Sequence, residues 1–164
     1  MPRINHIAAV VIIAGLLAVL SLPGPGGAAA SAAFTVIAAQ TPANGELNFN
    51  GAVKGGLVIT VPVGADVQMT LTNNGTLPHS LEVIPFTNQP PAQAVDTPAF
   101  PGAATKNPTV GITKGQTAVL KFTAGKPGKY LLICGFPGHA LLGMYGTFVV
   151  SPSASTQPSL VVKK

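Results

Sequence analysis

From Gly55 to Ser151 the chain is made of short runs in which apolar and polar residues alternate, each closed by a turn residue, and this period of two restricts it to a β fold. In "GGLVITVPVG" Leu57, Ile59 and Val61 share one face. In "DVQMTLTNNG" Val67, Met69 and Leu71 do the same before an Asn-Gly turn signal. "TAVLKFTAG" turns Leu120 and Phe122 inward and Lys121 outward, and "GKYLLICGF" puts Tyr130, Leu132 and Cys134 on a common face. "HSLEVIP", "TVGITKG" and "MYGTFVVS" continue the series. With a first strand near "GELNFNG", the pattern predicts one all-β sandwich of about seven to eight strands. Only 8% of residues are charged, and 19 Gly and 16 Pro supply the turns, which fits strands better than helices.

Two segments fall outside this pattern. Between Pro85 and Pro108, "PFTNQPPAQAVDTPAFPGAATKNP" cannot be a central strand, because its prolines remove ladder donors. It is either an ordered flap across an edge or end of the sandwich or a mobile excursion. At the N-terminus Arg3 precedes an uncharged apolar run from Ile7 to Leu22, then "PGPGG" and "AAASAA", the basic, apolar, small order of a secretory signal. As a helix the run reaches about 24 Å against a hydrocarbon core of about 30 Å, so a cleaved signal and a retained membrane anchor both stay open. The expected organisation is residues 1–33 as signal or anchor helix with linker, 34–151 as the folded domain, and 152–164 as a flexible Ser/Pro-rich tail. Either way the domain lies outside the cytoplasm.

Charge excludes one class of partner. Apart from Arg3 the chain carries eight Lys against Glu46, Asp66, Glu82 and Asp96, and these Lys are scattered rather than aligned in a phosphate-tracking stripe. No nucleic acid is expected. A fold that depends on so few carboxylates loses little when acid protonates them, which suggests an acidic external milieu.

The single cysteine, Cys134, cannot form an internal disulfide, and an exposed thiol is a liability in an exported chain. Its surroundings offer a reason for it. "CGFPGHALLGM" places Cys134, His139 and Met144 at Cys-x4-His-x4-Met spacing, and a strand, tight turn, strand path folds those donors around one point. Apart from His6 the only other histidine, His79, begins a neighbouring strand and can supply the fourth side. Two imidazoles, a thiolate and a weak thioether suit a trigonal electron-transfer copper with a long axial bond, cycling between Cu(I) and Cu(II). Zinc fits less well, since a thioether is a poor fourth ligand for it. Taken singly, Cys134 and Met144 read as core-filling side chains and His79 as a turn residue. Together in one exported β chain they read as metal ligands.

Beyond the spacing, "LPHSLEVIP" and "YLLICGFPGHALLGMYGTFVV" resemble the cupredoxins, specifically the sulfocyanin and rusticyanin branch, over about residues 45–151. Plastocyanin-type and azurin-type loops have shorter intervals and fit less well. The resemblance implies a Greek-key β-sandwich, one type 1 copper ion per chain on His79, Cys134, His139 and Met144, and an electron carrier of a respiratory chain rather than an enzyme. It also implies an N-terminal anchor, as sulfocyanins often keep one. Ser80 stands where many cupredoxins have Asn, as in rusticyanin, and is expected to tie the ligand strand to the ligand loop. Together with the absence of charge from Tyr130 to Val162, it suggests a high-potential site.

His139 is expected to reach the surface through an apolar rim of Phe136, Pro137, Ala140, Leu141 and Leu142, where a redox protein such as a cytochrome or terminal oxidase docks transiently on a monomer. Two other functions are weighed against this one. A copper-delivery protein would bind the metal without cycling it. A cysteine nucleophile enzyme would use Cys134 and His139, but no Asp or Glu follows Asp96 to orient the base. Multicopper oxidases and binuclear copper centres need more His or a second Cys.

Overall fold

The computed structural model describes residues 29–163, which fold as eight strands in two sheets. The expected signal or anchor helix lies outside the described residues. The strands are β1 (Ser31–Ala38), β2 (Leu57–Pro62), β3 (Asp66–Asn73), β4 (Glu82–Pro85), β5 (Thr117–Thr123), β6 (Gly128–Ile133), β7 (Tyr145–Ser151) and β8 (Ser159–Val162). One sheet has the order β1-β3-β5 and the other β4-β6-β7-β2-β8. β1 runs parallel to β3 and β2 parallel to β7, while the remaining pairs are antiparallel.

The alternation read from the sequence turns the same residues inward. Leu57, Ile59, Val61, Met69 and Leu71 are fully buried between the sheets, with Val67, Leu120 and Phe122 beside them and Lys121 exposed. Burying each of these large side chains contributes about 1.5–3 kcal/mol. Four aromatic rings close one region of the core. Phe100 stacks on Phe122 at 5.4 Å between centroids and tilts on Tyr130 at 4.9 Å, and Phe148 meets Phe122 edge-on at 5.6 Å.

Three expectations differ from what is observed. "GELNFNG" forms a 3-10 turn (Ala43–Glu46) followed by isolated bridges at Phe49, because Asn44, Gly45, Glu46 and Asn50 all take positive φ, which breaks an extended run. "TVGITKG" contributes only the His79–Ile112 bridge rather than a strand. The first described strand instead begins at Ser31, and the tail expected to be flexible supplies β8, which pairs antiparallel with β2. Both extra strands are recruited by an available sheet edge, which a local reading of composition does not reveal.

The segment after β4 is an ordered flap. Phe100 anchors it in the core, and it is laced to β4 by Ala99 N–H to Val83 O (2.8 Å), Val83 N–H to Ala103 O (2.8 Å) and Thr105 N–H to Leu81 O (2.9 Å). It thereby covers the free edge of β4. It also explains why β6 is buried on both faces: Leu132 faces the main core, while Leu131 and Ile133 pack with Ile84 and Ala140 in a second cluster against Val95 of the flap.

Candidate metal centre

Cys134 follows β6 directly and keeps that strand's inward phase, so its sulfur lies in the core. The chain then makes a compact turn. His139 N–H donates to Phe136 O, Leu142 N–H to Gly138 O and Gly143 N–H to Ala140 O, and the turn closes where Met144 N–H donates to His139 O (3.0 Å) and Cys134 N–H to Met144 O (3.2 Å). The backbone therefore locks three of the four expected donors to one another, and Met144 is fully buried.

His79 arrives from the strand side. It exchanges backbone bonds with Ile112, His79 N–H to Ile112 O at 3.0 Å and Ile112 N–H to His79 O at 2.7 Å. Asn73, also buried, gathers the intervening loop: its amide donates to Leu77 O and Ile112 O, both at 2.8 Å, and its oxygen accepts Gly75 N–H at 2.8 Å. Gly111 makes this approach possible. It has φ +74, and a Cβ there would sit 2.8 Å from His79 O.

The donor atoms converge. Cys134 Sγ lies 3.5 Å from His139 Nδ1 and 3.9 Å from His79 Nδ1, and the ligand atoms of all three residues lie within 4.8 Å of one another. A metal at about 2.3 Å from sulfur and about 2.0–2.1 Å from nitrogen in a trigonal plane separates such donors by about 3.8 Å, so the cluster has the right size. The sulfur also accepts Ser80 N–H at 3.4 Å, and Ser80 Oγ in turn accepts Gly135 N–H at 2.8 Å, which ties the ligand strand to the ligand loop.

Burial sets the protonation of the site. It pulls His79 down to about 4, with the neighbouring His139 as the second cause and Glu46 opposing weakly. It also lowers His139 and raises the Cys134 thiol, against hydrogen bonds from Ser80 and Phe136 that favour the thiolate. Two neutral imidazoles stand ready to ligate, while the thiol has to exchange its proton for a metal. The soft, mixed sulfur and nitrogen set fits copper.

A family model described as the sulfocyanin (SoxE) domain matches residues 25–162. Sulfocyanin of Sulfolobus acidocaldarius is 35% identical over 136 residues, covering 79% of this chain and 68% of that protein. The chain belongs to the sulfocyanin family. Auracyanin-B of Chloroflexus aurantiacus is 46% identical over 44 residues, 27% of this chain and 19% of that protein. Among solved structures, reduced auracyanin from the photosynthetic bacterium Roseiflexus castenholzii superposes with a TM-score of 0.56 at 22% identity, over 75% of this chain and 99% of its own. A blue copper oxidase from Nitrosomonas europaea gives 0.54 at 23% identity, over 75% and 39%. These two likenesses establish the cupredoxin fold.

In this sulfocyanin-family chain His79, Cys134, His139 and Met144 make up a single type 1 copper site. The expected rim around it is only partly formed. Leu141 and Leu142 are more than half exposed and Pro137 is exposed, but Ala140 is fully buried beneath them and Phe136 is half-buried against the His139 ring at 4.6 Å. His139 itself is 6% exposed, so it lies at the margin of the surface rather than on it. Leu77 and Val110 are also exposed, near the His79–Ile112 bridge in the chain. Sequence reasoning missed Asn73, Gly111 and Glu82. Only Glu82 carried a local signal, a carboxylate inside the apolar run "SLEVI".

Proposed function

We propose that this protein shuttles single electrons in an extracytoplasmic respiratory chain. Copper held by His79, Cys134, His139 and Met144 supplies a one-electron couple when bound. The observation that carries the reading is the burial of the donors: Cys134, His79 and Met144 are fully enclosed, and His139 has a thin margin of exposure. Such a centre gives a substrate no approach, and catalysis at a metal needs an open position. An electron needs none.

The residues around the site fit this role. Backbone bonds among Cys134, His139 and Met144, together with the Ser80 tie, hold the donors in one arrangement, so little rearrangement opposes transfer. The exposed Leu141 and Leu142 beside His139 offer a small apolar contact for a redox protein such as a cytochrome or terminal oxidase, which would leave quickly from an interface of that size. His79, pulled down to about 4, stays neutral in moderately acidic surroundings, in keeping with an acidic milieu. The apolar run from Ile7 to Leu22 supports export, with membrane attachment where the run is retained.

The test is spectroscopic and then kinetic. Stoichiometric Cu(II) added to the metal-free protein should give an intense visible thiolate-to-copper band and a spin-resonance spectrum of a type 1 centre. Reversible voltammetry and repeated reduction and reoxidation without copper loss should follow. A bound metal that cannot be cycled would overturn the carrier reading in favour of copper delivery.

A further inference from the structure

Glu82 is the one carboxylate among the described residues that is fully buried. It stands at the start of β4, opposite Ile133 of β6 and bridged to Ala104 of the flap. Its Oε2 accepts the Val95 N–H at 3.2 Å, and its Oε1 is buried with no partner. An ionised carboxylate in that position would be desolvated with a single donor for its charge, so the docked flap favours the neutral acid. Burial pushes the group up to about 7, and the Val95 N–H only partly offsets it.

The groups on each packed element leave this balance to Glu82 alone. On the flap, Asp96 next to Val95 and Lys106 near Ala104 are exposed. On β6, Lys129 lies at the far end and Tyr130 faces the main core, as does Cys134 just after the strand. From the ligand loop and β7, Tyr145 packs against the second cluster and His139 lies among the metal donors. None of them contributes to the shift of Glu82.

Val95 is also the hinge of a short relay. Its neighbour Ala94 donates N–H to Gly135 O at 2.9 Å, and Ala92 O accepts Gly138 N–H at 2.7 Å. Gly135 follows Cys134 and Gly138 precedes His139, so the flap grips the ligand loop at both ends of the Cys-to-His interval. The fit is close: a Cβ on Gly135 would lie 2.6 Å from the Ala94 Cβ. We propose that Glu82, as the neutral acid, is a positioning residue that seats the Pro-rich flap on the copper-ligand loop, and that its ionisation releases the flap and loosens the loop carrying Cys134 and His139.

The proposal rests on the copper site only in its last step, and its test reads the flap first. In the full-length, copper-loaded, reduced protein, exchange protection of the Ala94 and Gly138 amides should fall by about tenfold per pH unit between about pH 5 and 7, after correction for intrinsic exchange, because only the open state is ionised there. Core amides of Met69 and Leu120 should not follow. In Glu82→Gln, a neutral isostere, the flap amides should stay protected and the pH dependence should vanish. Unchanged protection across this range in the native protein, or the same decline in Glu82→Gln, would overturn the idea. Should Glu82→Gln fail to fold, side-chain carboxyl NMR of the native protein decides, since the chain has only two glutamates. Glu82 should titrate near 7 together with the flap amides, and titration of both glutamates in the ordinary range would sink the proposal. Neither readout needs electron transfer, so a failed carrier function and a failed clasp are distinguishable.

Discussion

Ser80 meets the ligand loop twice: its N–H points at the Sγ of Cys134, 54 residues away, at 3.4 Å, and its hydroxyl accepts the N–H of Gly135, the residue after the ligand. One side chain thus fixes the separation between the ligand strand and the ligand loop. Ser80→Ala leaves the buried Gly135 N–H without its acceptor, at a cost of about 1–3 kcal/mol. Chemical denaturation of the copper-loaded protein should show that loss while the visible band persists. A midpoint equal to that of the native protein would show the tie to be idle.

Replacing the sulfur donors should separate their roles. Cys134→Ser removes the thiolate responsible for charge transfer, and the copper-treated variant should be colourless. Met144→Leu substitutes a side chain of similar volume and deletes only the thioether, so copper should be retained and the reduction potential should rise. Absorption and voltammetry check both. Complete loss of copper from Met144→Leu would argue against an axial role.

Gly111→Ala should damage the site without touching a ligand. The added methyl would press on His79 O at 2.8 Å, at a positive φ that Ala adopts poorly. The variant should lose at least about 1–3 kcal/mol of stability and bind Cu(II) more weakly. Copper titration followed by absorption measures the second effect, and a native affinity would mean that His79 is positioned by other contacts.

The pH dependence of stability should differ between metal-free and copper-loaded protein. Glu82 is raised from 4.5 to about 7, so its contribution is complete below about pH 4.5 and is lost as pH rises through about 7. His79 and His139 are lowered, so their effect has the opposite sign: stability is lost as pH falls below about 6.5, for His79 down to about 4. In the metal-free protein these trends oppose each other. Ligation keeps both imidazoles and the Cys134 thiolate unprotonated in the folded state while the unfolded chain takes up those protons, so the copper-loaded protein should lose more stability than the metal-free protein on acidification from about pH 7 to 4.5. Glu82→Gln should remove the opposing contribution and steepen that loss. Thermal or denaturant unfolding across the range reads all three curves.

Burial of the imidazoles should nevertheless let copper be held into acid. Protons compete effectively for His79 only near and below about pH 4, since burial keeps the imidazole neutral above that point. The visible band should persist at pH 5 and bleach reversibly below about 4. Bleaching near pH 6.5 would mean that the fold does not protect the ring.

What the amino-acid sequence determined alone was local. Strand phase follows from a period of two, so the inward set from Leu57 to Phe122 and the phase of Cys134 were legible residue by residue. The spacing of Cys134, His139 and Met144 likewise belongs to one turn between adjacent strands. Whatever depends on a sheet edge or on distant segments meeting was decided by the tertiary structure. Ser31–Ala38, which straddles the expected linker and domain start ahead of the first expected strand, and Ser159–Val162, expected as tail, become strands because β3 and β2 offer them unpaired backbone. The Asn73 brace, the Gly111 gap and the flap over Glu82 join residues tens of positions apart, and no local pattern encodes which buried backbone groups will need a partner once the sheets have closed.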